Sequence, residues 1–160
     1  MNRSNTRQCG DCHACCNGWL GATINGHVMK SGTPCFFLDN HQCSIYPNRP
    51  KNPCQDYWCA WIQDDSIPDW VKPNLSNVII SLKKHPTDDT LVYYEVTAAG
   101  NEIPPAILTW LIEWSSQQNK NIVYRNGGEL YIYGSSTYYA MFNQLVSWGL
   151  YLPANILEIN

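Results

Sequence analysis

The sequence predicts an α+β protein in two parts. An irregular, cysteine-rich N-terminal half precedes an antiparallel sheet of two hairpins with two helices, in the order ββαββα. Three observations predict this. All eight cysteines lie before residue 60. Hydrophobic periodicity of the strand and helix kinds starts only near Asn77. An Asn126-Gly127-Gly128 sequence separates two β-rich runs, which marks a hairpin. The expected division is a cysteine-rich domain over 1–62, a linker over 63–76 and an α+β domain over 77–160.

Composition bounds the function. The chain has 160 residues, 44% of them hydrophobic, including 7 Trp, 10 Tyr and 3 Phe, which is material for a packed core. A formal net charge of −3 with ten scattered Lys and Arg excludes the basic footprint of a nucleic-acid binder. The apolar run 107–112 is broken by Thr109, so no membrane helix is expected. Met1 to Gln8 is polar and shows no signal-peptide core, so the expected location is the cytoplasm.

The first element to justify is the cysteine block: Cys9, Cys12, Cys15, Cys16, Cys35, Cys43, Cys54 and Cys59. A reducing cytosol disfavours disulfides. Cys15 and Cys16 are adjacent and cannot reach the usual Cα separation of about 5.5 Å to bridge one another. Sulfurs spaced three residues apart can converge on one centre, and a bound cation holds the thiolate deprotonated. Metal is therefore the expected staple, with all eight cysteines as candidate ligands. The run Cys9-Gly10-Asp11-Cys12-His13-Ala14-Cys15-Cys16 shares the two-residue gaps of ferredoxin ligand runs but lacks their fourth cysteine followed by proline. Adjacent cysteines point in different directions, so either one reaches a second centre or both edge a larger cluster. Pro34, Pro47, Pro50 and Pro53 stiffen the loops of the second group. Two four-cysteine sites, or one such site with bridging and spare thiols, both fit the spacing.

On these residues the chain resembles the CxxCxxCC proteins, the zinc- or iron-chelating family of the YkgJ type. The signature is Cys9-x2-Cys12-x2-Cys15-Cys16. Pro34-Cys35-Phe36-Phe37-Leu38, Cys43-Ser44-Ile45-Tyr46, Arg49-Pro50 and Cys54-Gln55-Asp56-Tyr57-Trp58-Cys59 follow it in the family's order. The resemblance covers about residues 9–61 and implies a metal- or cluster-binding domain without an assigned reaction. A related cysteine pattern occurs in flagellin lysine methylases, but no methyl-donor pocket motif is visible here.

Zinc on four thiolates would be a closed structural site. An iron–sulfur cluster would also crosslink the loops and would add redox chemistry. The close cysteine triplet tips the expectation to iron–sulfur, of the four-iron type, with zinc as the alternative. His13 and His41 flank cysteines and are either ligands, hydrogen-bonding neighbours of ligands, or plain loop residues; with eight softer thiols at hand, the plain reading is preferred. His27 and His85 are assigned no role.

In the second half, Val78, Ile80 and Leu82 alternate along a strand over Val78–Lys83, and Thr90–Thr97 forms its partner across the turn His85-Pro86-Thr87-Asp88-Asp89. Pro104 and Pro105 open a helix whose Ile107, Trp110, Leu111 and Trp114 share one stripe. Ile122–Arg125 and Glu129–Tyr133 form the second hairpin. Ser135 or Ser136 caps a last helix with Tyr138, Met141, Phe142, Leu145 and Trp148 at helical spacing, ended by Gly149. Without a long βαβ crossover, both helices are expected on one face.

This half lacks a phosphate loop, a nucleophile elbow and a His-Glu-x-x-His run. Glu95, Glu102 and Glu113 read as solvated residues, and Asp64-Asp65 as a linker surface. Tyr93, Tyr94, Tyr131, Tyr133, Tyr138 and Tyr139 either pack the sheet or present an aromatic strip to a protein partner. Two readings follow: a redox-active or modification-supporting iron–sulfur protein, and a zinc-stapled interaction module without enzymatic activity.

Overall fold

The structure is a computed structural model that describes residues 6–157. It is a mixed α and β protein whose chain divides into two compact units, one ending at Ile79 and the other beginning at Ile80. Among the described residues, no helix is long and apolar enough to cross a membrane.

The first unit is more regular than its sequence suggests. Strands β1 (Ala22–Ile24) and β2 (His27–Met29) pair antiparallel through Asn25-Gly26. Both turn residues have positive φ, 48° and 84°, as a two-residue hairpin turn requires. Strands β3 (Leu38–Asp39) and β4 (Gln42–Cys43) pair the same way through Asn40-His41, again with positive φ. Ile24, Met29 and Cys35 form a small core, against which Cys16, Leu20 and Cys54 pack.

Residues 63–76, expected as a linker, fold within this unit. Helix α1 (Ala60–Gln63) is followed by a single turn at Asp69–Val71 and by helix α2 (Pro73–Ser76), which Asn77 ends in the left-handed region. Ile62, Ile67 and Val71 are buried here, so the segment supplies core.

The second unit holds a five-stranded sheet in the order β5-β6-β7-β8-β9. Its elements are β5 (Val78–His85, beginning in the first unit), β6 (Asp88–Ala98), helix α3 (Pro105–Gln117), β7 (Ile122–Asn126), β8 (Glu129–Tyr133), helix α4 (Ser136–Ser147) and β9 (Asn155–Ile156). The sheet is mixed, not the antiparallel sheet of two hairpins that was expected. β6 and β7 run parallel with Tyr94 opposite Ile122, so α3 is a crossover helix. β8 and β9 are also parallel, with α4 between them and Ile132 opposite Ile156. Among the described residues β9 is the short run Asn155–Ile156, too brief for periodicity to register.

The two helices lie on opposite faces, correcting the one-face expectation. Tyr93, Val123, Leu130 and Ile132 face α4 through Tyr138, Met141, Phe142 and Leu145. The neighbouring residue Tyr94, on the other face, meets Trp114 of α3 edge-on with ring centroids 5.0 Å apart. Ile122-Val123-Tyr124 is therefore buried on both sides, the pattern of a crossover-covered strand. Gly127 and Gly128 make the β7–β8 turn, both at positive φ, while Asn126 stays in the strand. Ser135 Oγ accepts the Tyr138 amide at 3.1 Å and caps α4. Tyr93, Tyr94 and Tyr138 are core; Tyr131, Tyr133 and Tyr139 are half-buried.

Candidate metal centre

The cysteines arrive on short, irregular pieces of the first unit. Cys9 and Cys12 flank a tight turn in which the Cys12 amide donates to the Cys9 carbonyl at 2.9 Å, with Gly10 at a φ of 57°. Cys15 and Cys16 end the single helical turn Ala14–Cys16. Cys35 opens a turn in which the Leu38 amide donates to its carbonyl at 3.0 Å, and Cys43 stands opposite Leu38 in β4. Cys54 lies in the wide turn Lys51–Gln55, and Cys59 immediately precedes α1. All eight are free thiols.

Cys9, Cys12, Cys15 and Cys59 line one small cavity of about 30 Å³, walled by Ala14, Tyr57, Trp58, Pro73 and Ile79. Cys16, Cys35 and Cys54 pack instead in the core around Ile24 and Met29. The Cys35 amide donates to the Cys16 carbonyl at 2.8 Å. The Sγ atoms of Cys15 and Cys16 are 3.9 Å apart. Among the described residues, no three His, Cys, Asp or Glu side chains are close enough together to hold one metal ion as they stand.

The thiols feel one another. A hydrogen bond with Cys16, followed by burial, holds the Cys15 thiol far above its ordinary range, while the same bond pulls Cys16 down to about 7. Burial pushes Cys59 up to about 11, against the pull of the Ile62 and Trp61 amides and with the charges of Cys9 and Cys12 adding to the rise. Burial and the charge on Cys12 raise Cys9, and Lys72 pulls it back. Burial raises Cys54, followed by the charges of Cys16, Cys35 and Cys43, and Arg49 opposes them. Crowded thiols that resist deprotonation by themselves lose their protons to water when a cation binds, because its charge offsets the repulsion between thiolates.

Two basic residues position the N-terminal loop, and neither was visible in the sequence. The Arg7 guanidinium donates to the carbonyls of Trp61 (2.7 Å), Ile67 (2.8 Å) and Asp64 (3.2 Å) and pairs with Asp69 at 3.1 Å. Lys72 Nζ reaches Asp11 at 3.0 Å. Both contacts join positions more than fifty residues apart, so no local pattern could reveal them. The Asp64 side chain accepts from Ser66 at 2.6 Å, closing a turn.

The histidines divide. His13 and His41 meet at the surface, Nε2 to Nδ1 at 3.2 Å. His27 stacks on Phe36, with centroids 3.8 Å apart. His85, which the sequence placed in a turn, is buried at the end of β5, and its Nδ1 accepts the Thr87 amide at 3.3 Å.

Comparison with family models, curated proteins and solved structures yields no match for this chain.

Proposed function

We propose that the first unit is a metal-binding cysteine domain carrying an iron–sulfur cluster, of the four-iron type, in a protein with a redox or protein-modification support role. One observation carries this reading. Cys9, Cys12 and Cys15 share a cavity with Cys59, which is more than forty residues further along the chain. Four soft donors gathered from distant segments are the donor set of a thiolate-bound cluster. The apolar wall of Tyr57, Trp58 and Ile79 would shield a cluster from water, one lever by which proteins set cluster potential. Lys72 and Arg49 offset thiolate charge.

The size of the cavity favours a second reading. About 30 Å³ is close to the room a single water or ion needs, so zinc on four thiolates, in a stapled interaction module, also fits. In either case the cysteine pattern's likeness to the CxxCxxCC proteins agrees with the proposal, a cytoplasmic location suits free thiols, and the half-buried tyrosines of the second unit offer a surface to a protein partner.

The test is elemental analysis and a visible spectrum of protein purified without oxygen. Iron with sulfide and a broad band near about 400 nm supports the cluster. Stoichiometric zinc in a colourless solution supports the staple. Paired thiols without metal overturn both.

A further inference from the structure

We propose that the eight cysteines build two separate four-thiolate centres, Cys9, Cys12, Cys15 and Cys59 forming one and Cys16, Cys35, Cys43 and Cys54 the other. This division rests on the metal-binding reading above and assigns its ligands.

The first set is defined by the cavity that all four side chains line. The second is defined by packing. Cys16, Cys35 and Cys54 lie in one cluster with Ile24 and Met29. Cys43 is delivered to the same place by the β3–β4 register: it pairs with Leu38, and Leu38 packs against that cluster. Side chains directly opposite in an antiparallel pair stand about 4.5–5.5 Å apart. The backbone bond from Cys35 to the Cys16 carbonyl ties the start of the second set to the end of the CxxCxxCC run.

The parting of Cys15 and Cys16 follows from their helical turn. With about three residues per turn, successive side chains leave the axis roughly 120° apart. Cys15 enters the cavity and Cys16 enters the neighbouring core. The sets approach at the 3.9 Å contact of Cys15 with Cys16. With its four sulfurs drawn together on binding, each set would take one zinc ion or one four-iron cluster.

The test uses the full chain. Metal content of protein purified without oxygen should be about two zinc ions or about eight irons per chain. Cys59→Ser and Cys54→Ser should each retain about half of that, and the double variant almost none. Cobalt titration of the metal-free parent, followed by thiolate-to-cobalt absorption, should break at about two equivalents. A break at one equivalent, or a parent with a single ion or cluster, overturns the division and leaves the metal-binding reading standing. Where a single variant misfolds and loses all its metal, the cobalt endpoint of the parent decides. A parent that holds no metal and gives no cobalt absorption overturns the metal-binding reading itself.

Discussion

The guanidinium of Arg7 lies 4.9 Å over the indole ring of Trp61 and donates to the Trp61 carbonyl at 2.7 Å. One side chain thus satisfies three backbone carbonyls on the segment after Cys59, while its own backbone leads directly into Cys9. Hydrogen bonds from a charged donor contribute about 1.5–3 kcal/mol each and are not additive. Arg7→Ala should cost the first unit about 2–4 kcal/mol, read as a lower unfolding midpoint and faster alkylation of Cys9. Arg7→Lys, with fewer donors and no planar fork, should recover only part. Wild-type stability in the alanine variant would show that the clasp is idle.

Metal should matter unequally to the two units. Cys12→Ser, or a strong chelator, is expected to lower bound metal and to speed amide exchange across residues 9–59 more than across residues 122–145. The second unit has its own hydrophobic core, which contains none of the cysteines. Equal metal content in variant and parent would contradict this.

A buried phenol cluster sets an alkaline limit on the second unit. The Tyr151 hydroxyl donates to Glu95 and lies 3.3 Å from the Tyr93 hydroxyl, with Lys83 pairing Glu95 at 3.6 Å. Burial, followed by the bond to Glu95, raises the Tyr151 phenol above its ordinary range. A folded-state value above the unfolded one contributes stability that is complete below the unfolded pKa, about 10, and is lost as pH rises past it. Chemical denaturation from pH 8 to 11 should therefore show a steeper loss in the parent than in Tyr151→Phe. At neutral pH the variant should be about 1–2 kcal/mol less stable.

Gly134 is the tightest backbone approach in the second unit. A Cβ there would lie within 3.1 Å of the Asn121 Cα and 2.7 Å from Tyr138 Cδ1. Asn121 is not free to move, because its side chain accepts the Ser135 amide at 3.1 Å and donates to the Val92 carbonyl at 3.2 Å. Gly134→Ala should destabilise by about 1–3 kcal/mol through overpacking. A thermal melt matching the parent would rule this out.

The second half was legible where periodicity is long: α3, α4 and the β7–β8 hairpin follow from stripes and a turn dipeptide. Sheet direction was not legible, because a parallel pair is set by where a crossover helix lands, and Pro105–Gln117 reads the same on either face. The uninterrupted run Ile122-Val123-Tyr124 was the available cue, since two covered faces leave no polar alternation. In the first half, Asn25-Gly26 between Thr-Ile and His-Val carries the same dipeptide hairpin signal as Asn126-Gly127, but its strands are three residues each, too short for alternation to show. The eight candidate ligands were visible from residue type alone. Their sorting was not, because it depends on β3–β4 register and on contacts from Arg7 and Lys72 across more than fifty residues.

The junction of Cys15 and Cys16 has a consequence for how the chain can vary in length. The exposed Asn25-Gly26 turn, and the exposed to half-buried stretch between Cys43 and Cys54, are connections that tolerate added residues at small entropic cost. One residue inserted between Cys15 and Cys16 would instead swing every later side chain of that turn by about a third of a revolution. Related chains should thus vary in length at those two connections and not at the Cys15–Cys16 peptide bond.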